Sequence, residues 1–176
     1  MTTDRVYNVL FLCTGNSARS ILVESILNAE GKGRFQAYSA GSQPKSEVNP
    51  HSPKELAVLS YPTEGFRSKS WDEFATPGAL EMDFIFTVCD SAVGEACPVW
   101  IGDPMTAHWG VEDPAAVEGS EVEIGRAFAQ GAHFLKSRIM SFISLTLSSI
   151  DKLALETHLR RIGTMEGASI EQPRVG

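Results

Sequence analysis

Residues 6–12 form a mostly apolar run that stops at Cys13, and Arg19 and Ser20 then open a helical pattern. So little alternation suits a strand buried on both faces. Ile21, Leu22, Ile26 and Leu27 fall at helical spacing within 20–30. The stretch Cys13-Thr14-Gly15-Asn16-Ser17-Ala18-Arg19-Ser20 therefore leaves a buried strand and enters a helix N-terminus. In open α/β sheets that junction is where anions bind.

Each residue of the junction suits an oxyanion cradle. Successive N–H groups of Thr14, Gly15, Asn16, Ser17, Ala18 and Arg19 can turn inward on three oxygens. Gly15 permits a tight turn, and the Asn16 amide can brace it. Arg19 offers a planar fork to two oxygens. Arg19 and the helix dipole favour a Cys13 thiolate, to which the Ser20 hydroxyl can donate. Cys13 alone would fit a buried inert thiol, and Arg19 alone a surface charge. Their joint placement after a strand and before a helix favours a nucleophile beneath a bound anion.

Elsewhere the pattern alternates strands and helices, which implies a parallel α/β sheet. Strands are expected at 35–40 and 83–89, with a short one at 99–101. A short helix is expected at 54–59. Residues 102–119, rich in Gly, Pro and Asp, read as one long loop. Ser70-Trp71-Asp72-Glu73 and Ser120-Glu121-Val122-Glu123 are capping-box patterns. The second opens a helix carrying Ile124, Phe128, Leu135, Ile139 and Phe142. A further amphipathic helix is expected at 149–162, and a frayed polar tail from Gly163. The domain is expected to span 1–148, with 149–176 a helical extension and tail.

A net charge of −7 gives nothing that attracts nucleic acid or an anionic membrane, so any anion site is made locally. No segment approaches the length of a membrane span. Three cysteines, an odd count, do not suit a secreted disulfide framework, and the N-terminus does not resemble a signal peptide. A cytoplasmic location is the expectation.

Expelling an oxygen from an oxyanion needs a proton donor. Asp103-Pro104 and Asp113-Pro114 both lie in the long loop, and each also suits a plain turn. The residues alone do not choose between them. Cys89 ends a buried strand and, if that strand is parallel to the first, lies on the same side of the sheet as Cys13. Cys97 follows eight positions later. That spacing does not suit a zinc knuckle, and buried structural thiols are the alternative.

The Cys-x5-Arg-Ser stretch resembles the low-molecular-weight protein tyrosine phosphatase superfamily, and its Thr-Gly-Asn-Ser variant resembles the arsenate reductase branch. Ser39-Ala40-Gly41-Ser42, Thr87-Val88-Cys89-Asp90, Cys97-Pro98 and His108-Trp109-Gly110-x-x-Asp113-Pro114 extend the resemblance over about residues 6 to 145. It implies a three-layer α/β fold with a central parallel four-stranded sheet flanked by helices. It implies Asp113 as the general acid, since the family acid sits in the Asp-Pro after His-Trp-Gly. It also implies a relay in which Cys13, Cys89 and Cys97 carry electrons to arsenate.

The function so implied is thiol-dependent reduction of arsenate to arsenite. Catalytic residues would be Cys13, Arg19, Asp113, Cys89 and Cys97, with oxyanion binding by Thr14 to Ser20. Thioredoxin, or glutathione with glutaredoxin, would serve as reductant, with no tightly bound cofactor. In relatives with a potassium site, Asn16, Glu24 and Ser39 would correspond to ligands. Here residues 65–70 are basic, Arg67 or Lys69 can supply the positive charge, and no metal is expected. The alternative is a phosphatase that hydrolyses phosphomonoesters through a phosphocysteine. The same loop serves both, but Ala115-Ala116 replace the aromatic residues that follow Asp-Pro in the phosphatases.

Overall fold

The computed structural model describes residues 5–90 and 100–169. Four strands, β1 (Tyr7–Leu12), β2 (Phe35–Ala40), β3 (Phe84–Thr87) and β4 (Met105–His108), form one sheet in the order β2-β1-β3-β4. Every pairing is parallel. Leu12 is in register with Ala40 on one side and with Thr87 on the other. The carboxyl ends of β1, β2 and β3 therefore finish level, and the chain just beyond them is gathered at one edge.

Alternation along β1 divides the core. Val9 and Phe11 face a layer built from α1 (Arg19–Glu30), α2 (His51–Val58), α3 (Glu121–Ile143) and α4 (Lys152–Gly163). Leu10 and Leu12 face a thinner layer of Trp71, Met82, Phe74 and Trp100, with Trp71 and Phe74 on a short 3-10 helix. The apolar run at 6–12 is continuous because both of its faces are covered. On the helical side Phe86 stacks on Trp109 with centroids 3.8 Å apart, and Phe142 meets both rings edge-on. Trp109 is fully buried, and its indole N–H donates to the Leu159 carbonyl at 2.9 Å. This satisfies the polar end of a side chain that otherwise contributes apolar burial.

The expectations around the fourth strand are corrected. Residues 102–119 are not one loop, because they contain β4. Its Met-Thr-Ala-His sequence gives no apolar run, since an edge strand is half covered and its burial alternates. Trp100 and Ile101, expected in a strand, lie in the irregular chain before β4.

The helix expected over 149–162 starts instead at Lys152, where the Asp151 carboxylate accepts the Ala154 N–H. Ser149 and Ile150 are turned back on the Thr146 carbonyl. Leu155, Leu159 and Ile162 of α4 pack into the same core as β1. The chain also does not fray at Gly163: residues 164–169 return to the sheet edge, and Ser169 donates its N–H to the Gly110 carbonyl. The Ser120–Glu123 capping box is formed in full.

Candidate active site

Residues 13–19 connect β1 to α1 and line a cavity of about 400 Å³ together with Gln43, Lys45, Cys89 and Asp113. Helix α1 begins after Ala18 with no side-chain cap and no acidic residue in its first turn. Its orphan N–H groups and positive dipole end therefore serve the cavity.

The loop is held from behind. Asn16 takes a left-handed φ of 45°. Its amide donates to the Ser20 and Ser39 hydroxyls at 2.8 and 2.9 Å, and its carbonyl accepts the Lys69 N–H at 2.9 Å. Ser39 in turn donates to Glu24 at 2.5 Å. The Ser20 hydroxyl oxygen is thus the acceptor of one Asn16 bond. The outward carbonyls of Thr14 and Gly15 accept the N–H groups of Gln43 and Lys45. Ser68 donates its hydroxyl to the Gly15 carbonyl. Gly41 lies so close that a Cβ there would sit 2.4 Å from the carbonyl oxygens of Cys13 and Thr14.

Beneath this layer, burial raises the pKa of Glu24, while the Ser39 bond and the charge of Lys69 oppose the rise. Burial lowers the pKa of Lys69, against the attraction of Glu24. Of the two basic residues considered from sequence, Lys69 is the one that faces Glu24. Arg67 pairs with Glu73 instead, at 2.5 Å.

Cys13 and Cys89 are free, buried and line the same cavity, close enough for each to shift the other. The two respond in opposite directions. The Cys89 hydrogen bond and then burial push Cys13 up, against the pull of Arg19. The Cys13 hydrogen bond lowers Cys89 to about 5, helped by the Thr14 N–H and Arg19. That N–H reaches the Cys89 sulfur at 3.2 Å.

Arg19 enters from the start of α1. Its Nη1 donates to the Val111 carbonyl at 2.8 Å, and its Nη2 lies 3.5 Å from Asp113 Oδ2. Its Nε is buried and has no partner among the described residues. A buried, unpaired guanidinium N–H beside uncapped helix N–H groups is the donor set an oxyanion fits.

The structure also separates the two Asp-Pro pairs. Asp113 lines the cavity, and its Oδ1 accepts the Ala115 N–H at 2.9 Å, capping a 3-10 turn. Asp103 precedes β4, at the opposite end of the sheet, where it faces Lys152 at 3.9 Å. His108, at the end of β4, is an anchor: its ring bonds Thr87 at 2.7 Å and Asp90 at 2.8 Å. Cys97 lies outside the described residues. No group of three or more His, Cys, Asp or Glu side chains suited to a metal occurs among the described residues.

Several participants had no signal in the sequence. Gln43 and Lys45 reach the cavity because their N–H groups pair with the loop carbonyls. Val111 contributes only a backbone oxygen, which any residue has.

The family model for low molecular weight phosphotyrosine protein phosphatase matches residues 8–153. The chain belongs to this family. An arsenate reductase of Oceanobacillus iheyensis is 33% identical over 138 residues, covering 76% of this chain and 93% of that protein. The crystal structure of arsenate reductase from Archaeoglobus fulgidus superposes with a TM-score of 0.55 at 28% identity, over 75% of this chain and 98% of that one. A thioredoxin-dependent arsenate reductase of Corynebacterium glutamicum superposes with a TM-score of 0.61 at 21% identity, over 84% of this chain and 66% of that one, a likeness in fold. No helix among the described residues is long and apolar enough to cross a membrane.

Proposed function

We propose that this family member reduces arsenate to arsenite with cysteine thiols. The observation that carries the reading is that Cys13 and Cys89 line one cavity, with the Thr14 N–H beside Cys13 reaching the Cys89 sulfur at 3.2 Å. A phosphatase needs one sulfur there; a reductase needs a second within reach of the first.

Arsenate enters on the loop N–H groups and the free Arg19 Nε. The Arg19 guanidinium and the loop N–H groups draw the thiolate onto Cys13, with its proton passing to Cys89. The Cys13 sulfur attacks arsenic, an As–O bond breaks, and Asp113 protonates the departing oxygen, which leaves as water. The Cys89 thiol then gives its proton to an arsenic-bound oxygen, and its sulfur attacks the Cys13 sulfur. The S–As bond breaks with its electron pair staying on arsenic, so As(V) becomes As(III) while two thiols become the Cys13–Cys89 disulfide. Cys97 then attacks Cys89, freeing Cys13 and leaving a Cys89–Cys97 disulfide. Thioredoxin, or glutathione with glutaredoxin, returns the two electrons.

The alternative, hydrolysis of phosphomonoesters through a phosphocysteine, uses the same Cys13, Arg19 and Asp113. Ala115 and Ala116 after Asp113-Pro114 provide no aromatic clamp for a tyrosine ring. Steady-state arsenite release with thioredoxin and its reductase, beside release with glutathione and glutaredoxin, tests the proposal and names the donor. Rapid aryl phosphate hydrolysis with no arsenite from either donor would establish the alternative.

A further inference from the structure

We propose that residues 164–169 form a positioning strap that sets the Arg19 guanidinium through the backbone of Val111. The strap lies beyond the family match at 8–153. It rests on the reading of the Cys13–Arg19 loop as an oxyanion site.

The strap is fastened at both ends. At its start, α4 presses against the end of β4: a Cβ on Gly163 would fall 2.1 Å from the His108 carbonyl oxygen. Next comes Arg138 of α3, fully buried and facing carbonyl groups. Its Nη1 donates to the carbonyls of Phe134 and Glu166, and its Nη2 to that of Met165, at 3.0 to 3.2 Å. Its Nε has no partner among the described residues, so these three bonds are what offset the cost of burying the guanidinium. Two of its three acceptors belong to the strap, so Arg138 ties the strap to α3. At the far end Ala168 forms an antiparallel bridge with Val111. Ser169 donates its N–H to the Gly110 carbonyl at 3.0 Å and its hydroxyl to Asp90 at 2.8 Å.

Val111 is thereby held on two sides. Its N–H donates to the Val88 carbonyl at the end of β3, and the strap pairs with its other side. Its carbonyl accepts Arg19 Nη1 at 2.8 Å. That bond is the closest polar contact fixing the guanidinium, and it orients the plane that leaves Nε unpaired in the cavity wall. Among the described residues the backbone leaving β4 has no further strand beside it, so the strap supplies an edge partner.

The test uses inorganic phosphate as the probe and titration calorimetry on full-length protein. Ser169→Pro removes the N–H given to Gly110, and Arg138→Met unties the strap while keeping an apolar side chain in the core. Both are expected to weaken phosphate binding about fivefold to tenfold, the effect of one or so lost hydrogen bonds on Arg19 placement. Ser169→Ala keeps the backbone bond and is expected to bind phosphate within about twofold of wild type. A merely structural strap would lower the melting temperature and leave phosphate affinity per folded molecule unchanged.

Unchanged affinity in folded Ser169→Pro overturns the proposal, whether or not Arg138→Met folds. Weakening by Ser169→Ala equal to that by Ser169→Pro also overturns it, because the effect would then run through Asp90 rather than Val111. Absence of phosphate binding by wild type defeats the oxyanion reading itself. Binding by wild type that persists undiminished in Ser169→Pro defeats only the strap.

Discussion

The backbone N–H of Thr14 donates to the sulfur of Cys89 at 3.2 Å, although Thr14 belongs to the loop that follows Cys13 and Cys89 lies beyond β3. The parallel register of β1 and β3 makes this possible. Leu12 and Thr87 are paired, so the residues just beyond them meet. One loop thus gives a backbone N–H to the second sulfur while its other residues line the cavity.

The first expectation concerns that sulfur. The Cys13 hydrogen bond lowers Cys89 to about 5 from an ordinary value of 9.0, so its thiolate is present above about pH 5 and lost below it. Removing Cys13 removes the largest cause. The Cys13→Ala variant, which has no donor at that position, should therefore show the inflection for Cys89 alkylation by iodoacetamide at higher pH than wild type, followed by mass spectrometry of the Cys89 peptide. An unmoved inflection would mean that the two sulfurs are not coupled.

Arg19→Lys keeps the charge but loses the fork. A lysine cannot bond Val111 and still present a second N–H in the position of Nε. Phosphate or arsenate binding should weaken about tenfold to a hundredfold, in line with a lost charge-assisted hydrogen bond. Competitive inhibition by phosphate measures it.

Asp113→Asn should separate binding from chemistry. The asparagine side-chain oxygen can still accept the Ala115 N–H, so the 3-10 turn should survive. Turnover should fall about a hundredfold or more through loss of the proton donor, with phosphate affinity nearly retained. Equal loss of both would reassign Asp113 to holding Arg19.

Gly41→Ala tests the close approach behind the loop. Its Cβ would meet two backbone oxygens at 2.4 Å, and backbone cannot rotate away as a side chain can. A destabilisation of about 1–3 kcal/mol, read by denaturant melts, should accompany weakened phosphate binding. A fully stable variant with intact binding would contradict the described packing.

Much of this was legible in the chain. The apolar run at 6–12, the helical spacing after Arg19 and the Ser120 capping box are local signals, and each formed where the residues placed it. The nearness of Cys89 to Cys13 followed once both strands were taken as parallel. The fourth strand was not legible, because Met105 to His108 are half covered and carry no apolar run. Nor was the choice between Asp103 and Asp113, which differ only in which end of β4 they occupy. Lys45 reaches the cavity, and Val111 reaches the Arg19 guanidinium, through backbone groups over long sequence separations, which side-chain identity does not encode.

The central claim is that arsenate draws its two electrons from Cys13 and Cys89. Reduced protein mixed with arsenate, without any external thiol, gives the most direct measurement: arsenite released and free thiols remaining, with disulfide peptides mapped by mass spectrometry. The account predicts one arsenite and two thiols lost per chain, with Cys89 in every disulfide recovered. Arsenite without any disulfide containing Cys89, or full retention of thiols beside rapid aryl phosphate hydrolysis, would contradict it.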